Sequence, residues 1–123
     1  MTRINVVSVK TLVDQHLLAE HRELTRIPNC VISGKYKVEN IPNDYVLGTG
    51  HVKFFTNKLG WLKKRYDELH KECLDRGFNV TYKFPMDVPK EFEGDYSPTL
   101  NAIQINEERI LLRMPKKPRK TVY

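Results

Sequence analysis

Two neighbouring groups near the start of the chain have residue types and spacing suited to chemistry: Met1-Thr-Arg-Ile-Asn5 and the stretch 12–26 that follows it. Position two decides what the first group offers. Initiator Met before a small residue such as Thr is normally trimmed, so the working chain is expected to begin with the primary amine of Thr2. An α-amine titrates near roughly 7.7 to 8.0, well below lysine, and a nearby cation such as Arg3, Arg22 or Arg26 lowers it further. A useful fraction is then unprotonated near neutrality. Such an amine attacks a carbon of carbonyl or oxocarbenium character and forms a Schiff base, the covalent strategy otherwise supplied by lysine. The competing reading of composition alone is a frayed chain end without a role.

The second group supplies partners for that amine. Stepping about 100° per residue along 12–26 predicts a helix with Val13, Leu17 and Leu24 on one side and His21 at the edge of the apolar stripe. Gln15, Ala19, Arg22 and Arg26 fall on the opposite side, and His16 and Glu23 project next to one another just around from them. That face gathers two guanidiniums, a carboxylate and an imidazole, and the tether from Arg3 to Thr11 is short enough to fold the amine back against them.

The elements that must position these residues are helical. Pro28 predicts a break or kink after the first helix, with a short helical turn to Ile32 and a stop at Gly34. Residues 35–44 read as a basic loop, its Tyr-Lys-Val triplet too short to define a strand. Gly48-Thr-Gly50 reads as a turn, and as a lone Gly-x-Gly it is a weak phosphate-loop signal. The longest helix is expected over 51–76, with Phe55, Leu59, Leu62, Tyr66, Leu69 and Cys73 buried, Phe54, Trp61 and Leu74 widening the stripe, and Gly77 capping the end. Gly60 inside it points to a close chain crossing, with the N-terminal segment as the candidate strand of chain. Lys63, Lys64 and Arg65 read as a solvated face, because Asp67 and Glu68 follow at once. Residues 78–99 read as irregular chain packed by Phe84, Phe92 and Tyr96, and 100–114 as a last helix with Ile103, Ile110 and Leu111 inward and Arg109 and Arg113 sharing a face. The expectation is an all-α fold: one compact domain of about three helices with long irregular connections and the N-terminal segment packed on them. Residues 115–123, Pro-Lys-Lys-Pro-Arg-Lys-Thr-Val-Tyr, form a flexible basic tail in this reading, open to roles as a DNA-backbone grip, a solubilising end or a nuclear-import-like string.

Bulk properties narrow the function classes. At 123 residues the chain has room for one core. With 21 Lys+Arg against 15 Asp+Glu the formal charge is +6, which suits a polyanionic partner. Cys30 and Cys73 form no C-x-x-C or His/Cys ligand pattern, so no metal site is expected and a reduced, cytoplasmic compartment is. Without an apolar run near 18 residues or a signal-peptide core, neither membrane residence nor secretion is expected.

Met1-Thr-Arg-Ile-Asn5, Asp14-Gln-His-Leu17, Ala19-Glu20, Arg22-Glu-Leu24 and Arg26 resemble the start of the pyrimidine-dimer DNA glycosylases of the phage endonuclease V type. Leu47-Gly-Thr-Gly-His-Val52, Phe54-Phe55, Lys58-Leu59, Glu72-Cys-Leu74 and Arg76-Gly-Phe-Asn79 are similar to the family's middle helix and its exit, and Glu91-Phe92, Gly94-Asp-Tyr96 and Pro98 to a third segment. The resemblance implies a helical repair enzyme, acting as a monomer on double-stranded DNA that carries cyclobutane pyrimidine dimers or abasic sites, with no metal or organic cofactor. It implies that the Thr2 amine attacks C1′ of the dimer's 5′ nucleotide, and that Glu23 stabilises positive charge at the sugar and assists C2′ proton removal, giving β-elimination and strand cleavage. It further implies that Arg22 and Arg26 hold phosphates and lesion, that Arg3 and Gln15 support the same surface, that His16 orients Glu23 or the DNA, and that Arg109 and Arg113 add basic contacts.

The chain also departs from the family pattern. Thr25 replaces a common Pro, the 28–45 connector is shorter, and the type member's aromatic-rich tail gives way to Pro-Lys-Lys-Pro-Arg-Lys with a single Tyr. Dimer specificity therefore competes with a broader damaged-base glycosylase or abasic-site lyase, and with a noncatalytic basic DNA-binding protein. A metal-dependent nuclease lacks a clustered acidic motif here.

Overall fold

Pro28 sets the first boundary of the structure. Its ring would clash with the carbonyl four residues back and its nitrogen has no hydrogen to donate there. That carbonyl belongs to Leu24, and Leu24 is the last residue of α1 (Asp14–Leu24). Thr25 forms the hinge, and α2 (Arg26–Ile32) begins with Pro28 in its first turn, where a missing N–H costs little. The computed structural model describes residues 2–35 and 38–123; Met1, with its expected trimming, and Tyr36 and Lys37 of the Tyr-Lys-Val triplet lie outside the described residues.

The expected helix over 51–76 is two helices, α3 (His51–Phe55) and α4 (Leu59–Asp75), separated by Thr56, Asn57 and Lys58. The carbonyls left free at the break find other donors. Thr56 Oγ1 donates to the Lys53 carbonyl at 2.7 Å, Lys58 Nζ to Phe54 at 2.7 Å, and the Gly94 N–H to Asn57 at 3.0 Å. The chain that crosses Gly60 is therefore the 93–94 segment, not the N-terminal segment. A Cβ on Gly60 would sit 3.0 Å from the carbonyl oxygens of Glu93 and Gly94, and one on Gly94 would lie 2.1 Å from the Asn57 oxygen. Two side-chain-free residues allow the main chains to touch, and an isolated antiparallel bridge between Lys58 and Glu93 seals the crossing.

Residues 78–99 are irregular apart from a 3-10 turn at Lys90–Phe92, and Phe84 and Phe92 plug them into the core. The last helix, α5 (Leu100–Leu112), is capped by the Thr99 hydroxyl, which accepts the Ala102 N–H at 3.0 Å. The protein is thus all-α: among the described residues there are five α-helices, where about three were expected, and no strand. None of them is long and apolar enough to cross a membrane.

The core is centred on the packing of α1 against α4, with Leu17 and Leu24 meeting Leu62, Tyr66, Leu69 and Cys73, and with Phe54 and Phe55 of α3 and Ile4 and Leu12 of the N-terminal arm closing it. Each fully buried large side chain here contributes on the order of 2 kcal/mol. Two inward assignments and one outward assignment change. Leu74 and Leu111 are exposed: in α4 the buried stripe keeps to the expected line through Cys73 without widening to Leu74, and in α5 Ala102 and Asn106 are the residues that pack inward. Arg65, expected on a solvated face, is only 4% exposed. It occupies the same stripe as Leu62 and Leu69 and is neutralised there by Glu20 of α1, Nε to Oε2 at 2.8 Å and Nη2 to Oε1 at 2.9 Å. Arg76 repeats the device at the other end of the interface, reaching Glu72 and Asp14 at 2.9 Å each.

Candidate active site

The N-terminal arm, residues 2–8, has neither helix nor strand to satisfy its main chain, so side chains from the helices do so one group at a time. Glu23 Oε1 accepts the Arg3 N–H at 3.1 Å. His51 Nε2 accepts the Ile4 N–H at 2.9 Å, while the Ile4 carbonyl receives the Tyr45 hydroxyl at 3.0 Å and Arg109 Nη2 at 3.3 Å. Asn106 Oδ1 accepts from Val6 at 2.6 Å and Val7 at 3.3 Å, and its amide donates to Asn5 Oδ1 at 2.7 Å. Asn5 in turn donates to Glu20 at 2.8 Å, and an Arg65 Nη1 bond to the Val7 carbonyl ends the series. The buried Glu20–Arg65 pair thus joins two helices and also grips the arm.

Burial sets the protonation behaviour of these clamps. It pulls the His51 imidazole down to about 4 and pushes the Tyr45 hydroxyl up to about 12, so both rings are neutral across the physiological range. Arg109 is also drawn below the usual guanidinium range by burial, yet it is still a cation.

The arm, α1 and α5 enclose a narrow cleft of about 50 Å³ lined by Arg3, Asn5, His16, Glu23, Arg109 and Arg113, with Ala19, Glu20 and Ile110 completing it. The structure brings five of the nine predicted site residues to this cleft. His16 Nε2 lies 3.1 Å from the Arg113 carbonyl, and a carbonyl only accepts, so Nε2 carries a proton. Its buried Nδ1 has no hydrogen-bond partner among the described residues. Thr2 and Arg26 line a second, larger hollow of about 480 Å³ together with Ile27, Asn29, Cys30, Ser33, Lys35 and Val52. Arg22 is exposed on the outer face of α1, its Nη2 at 3.9 Å from Glu23 Oε2.

Gln15 is placed differently. Its amide donates to the Lys117 carbonyl at 2.9 Å and its oxygen accepts the Arg119 N–H at 3.1 Å. The segment 115–123, read as a flexible tail, lies against the start of α1: Asp14 N–H donates to Arg119 O at 2.6 Å, Thr121 donates to the Asp14 carboxylate, and the Tyr123 hydroxyl reaches Glu72 at 2.8 Å. Burial alone would raise the Asp14 carboxyl, but the Thr121 bonds and the Arg76 guanidinium outweigh it and hold the group below the usual carboxylate range.

Asn5, Glu20, Tyr45, His51, Arg65 and Asn106 support the site without being visible as site residues in the sequence. Two of them left a signal there: Glu20 and Arg65 are charges on the apolar stripes of their helices, and buried charges must be paired.

What the cleft can do chemically follows from its lining. Its Glu23 carboxylate is held on the N–H of Arg3, the residue that follows Thr2, and Arg3, Arg109 and Arg113 line the same cleft with guanidiniums able to bind an anion. The family model described as pyrimidine dimer DNA glycosylase matches residues 1–86 of this chain.

Proposed function

The chain belongs to the pyrimidine dimer DNA glycosylase family, and we propose that it excises cyclobutane pyrimidine dimers from double-stranded DNA through a covalent imine on Thr2, followed by strand cleavage. In this reading the unprotonated Thr2 amine forms a bond to C1′ of the dimer's 5′ nucleotide as the glycosidic bond breaks, with its electron pair leaving on the base. One of the two protons on that nitrogen passes to O4′ as the C1′–O4′ bond breaks, which yields the protonated imine and a free 4′-hydroxyl. Glu23 then takes a C2′ proton, and the electrons released expel the 3′ phosphate. Hydrolysis of the imine frees the enzyme.

The observation that carries the reading is the 3.1 Å bond from the Arg3 N–H to Glu23 Oε1. It ties the carboxylate to the residue next to the proposed nucleophile, where the positive charge of the oxocarbenium and the acidic C2′ proton arise. Arg3, Arg109 and Arg113 in the cleft, with Arg22 and Arg26 beside it, supply cations for the flanking phosphates. His16 brings to the same cleft a buried Nδ1 that has no partner among the described residues. Gln15 acts on the surface indirectly, by holding the basic 117–119 segment beside α1. The protein works as a monomer, inside the cell, without metal.

Glu23→Gln tests the assignment. Gln keeps an oxygen for the Arg3 N–H and loses the charge and the base, so strand cleavage of a dimer-bearing duplex is expected to fall by about 10²- to 10⁴-fold while the duplex still binds. Cleavage by Glu23→Gln at the wild-type rate would remove Glu23 from the chemistry.

A further inference from the structure

His51 takes no part in the steps above, yet both of its ring nitrogens are committed to main chain. Nε2 meets the Ile4 N–H at 2.9 Å and Nδ1 meets the Val46 carbonyl at 2.8 Å. An N–H cannot accept and a carbonyl cannot donate, so the proton sits on Nδ1 and the lone pair on Nε2. The ring is 3% exposed and wedged edge-on against Tyr45 and Phe55. It cannot swing away without opening the core.

The sequence around it is built to present this ring. Gly50 takes φ +94°, a conformation most side chains avoid, at the N-cap of α3, and the His51 N–H closes the turn onto the Gly48 carbonyl at 3.1 Å. His51 therefore enters from a helix start, on an element separate from the one that carries Glu23. The Ile4 peptide is gripped at both ends, by His51 on its N–H and by Tyr45 and Arg109 on its carbonyl. Tyr45, Arg109, Asn106 and Arg65 hold carbonyls and later N–H groups of the arm, and His51 is the anchor on the N–H that directly follows the one held by Glu23.

We propose that His51 is a positioning residue for the Thr2 amine, fixing the arm through the Ile4 N–H so that the amine meets C1′ in reactive geometry. The inference rests on the reading of Thr2 as the nucleophile. Covalent attack within a bound complex depends on such placement, and a displacement of about 1 Å far from the reacting atoms is enough to cost about 100-fold.

The two functions of the ring can be separated by substitution. His51→Asn places an amide near the Nδ1 position, keeping a donor for Val46 and losing the acceptor for Ile4. His51→Gln carries its amide oxygen out to the Nε2 position and keeps that acceptor. Each variant, as the full chain with Met1 removed, is mixed with a duplex bearing one abasic site, and the imine is trapped with borohydride in single turnover. His51→Asn is expected to trap about 100-fold more slowly with duplex Kd within about threefold of wild type, and His51→Gln to recover to within about tenfold. Trapping by a folded His51→Asn at the wild-type rate, or equal loss in His51→Gln, would overturn the proposal. Should His51→Asn not fold, amide exchange at Ile4 of the wild-type protein decides: a protected N–H supports the anchor, and exchange at the rate of an unstructured peptide overturns it. If the wild-type chain itself traps nothing, the Thr2 reading fails and this inference with it.

Discussion

At His51 a single side chain ties local electrostatics to the stability of the whole fold. Burial, helped by the nearby Arg109 charge, lowers its pKa to about 4 from 6.5. Above pH 6.5 the ring is neutral in folded and unfolded chains alike, and its contribution is fully present. As pH falls from 6.5 toward 4 the unfolded chain takes up the proton first, and stability is lost. At roughly 1.4 kcal/mol per pH unit the displacement amounts to about 3 kcal/mol. Urea denaturation at pH 7 and pH 4 should therefore show a loss of about 3 kcal/mol in wild type beyond that in His51→Gln, which has no proton to gain. Equal losses in both would mean that the ring is solvated. The arginines divide in a similar way. Arg113 is exposed at the cleft rim, whereas Arg109 is bonded to the Ile4 carbonyl and to Asn5 Oδ1 at 3.1 Å. Arg113→Gln is expected to weaken duplex binding and to reduce the slope of log K against log salt by about 0.9 for each phosphate left without its cation, with the melting temperature unchanged. Arg109→Gln should lower both affinity and melting temperature, since it also frees the arm. A stable, fully folded Arg109→Gln would show that the arm does not depend on it.

The helices are held together by charges that lie on their buried faces. Glu20 and Arg65 are fully enclosed, and removing one partner leaves the other charge buried alone. Glu20→Ala is expected to cost about 4 kcal/mol, against less than about 1 kcal/mol for Lys64→Ala, whose pair with Asp95 is two-thirds exposed on both sides. Denaturant unfolding of the two variants reads the contrast directly, and comparable losses would show that the buried pair contributes no more than a surface one. This pair also explains which parts of the fold were legible in the sequence. The periodicity of 51–76 gave the core face of α4, because Leu59, Leu62, Tyr66 and Leu69 are apolar at helical spacing. It could not give the break at Thr56–Lys58, which depends on a remote carbonyl and N–H at Gly94. Arg65 departs from expectation for a related reason: composition argues that charges face water, and only the partner on another helix reverses that. Likewise the placement of α5 hangs on Asn106, a polar residue whose value appears only once the unpaired N–H groups of Val6 and Val7 are beside it.

Over the whole molecule, side chains from α1, the 45–51 segment, α4 and α5 converge on one short arm and hold its main chain without a strand partner. The chemistry-bearing types, an amine-ended arm, a carboxylate and several guanidiniums, were readable from residues 1–26 and from the resemblance those residues carry. Their assembly was not, because the supporting bonds span up to about a hundred residues of sequence and leave no local pattern. Gln15 shows the limit most clearly: its spacing put it on the site face of α1, but its amide serves the 117–119 main chain. In the proposed reading this scaffold presents the Thr2 amine beside Glu23. The most direct test is to incubate the purified protein with a duplex carrying one thymine dimer, in EDTA, add borohydride, and locate any adduct by mass spectrometry. One sugar-linked adduct on the Thr2 amine is expected, absent with undamaged duplex and absent from chain that retains Met1. An adduct on a lysine, or no adduct from correctly trimmed protein with either dimer or abasic duplex, would contradict it.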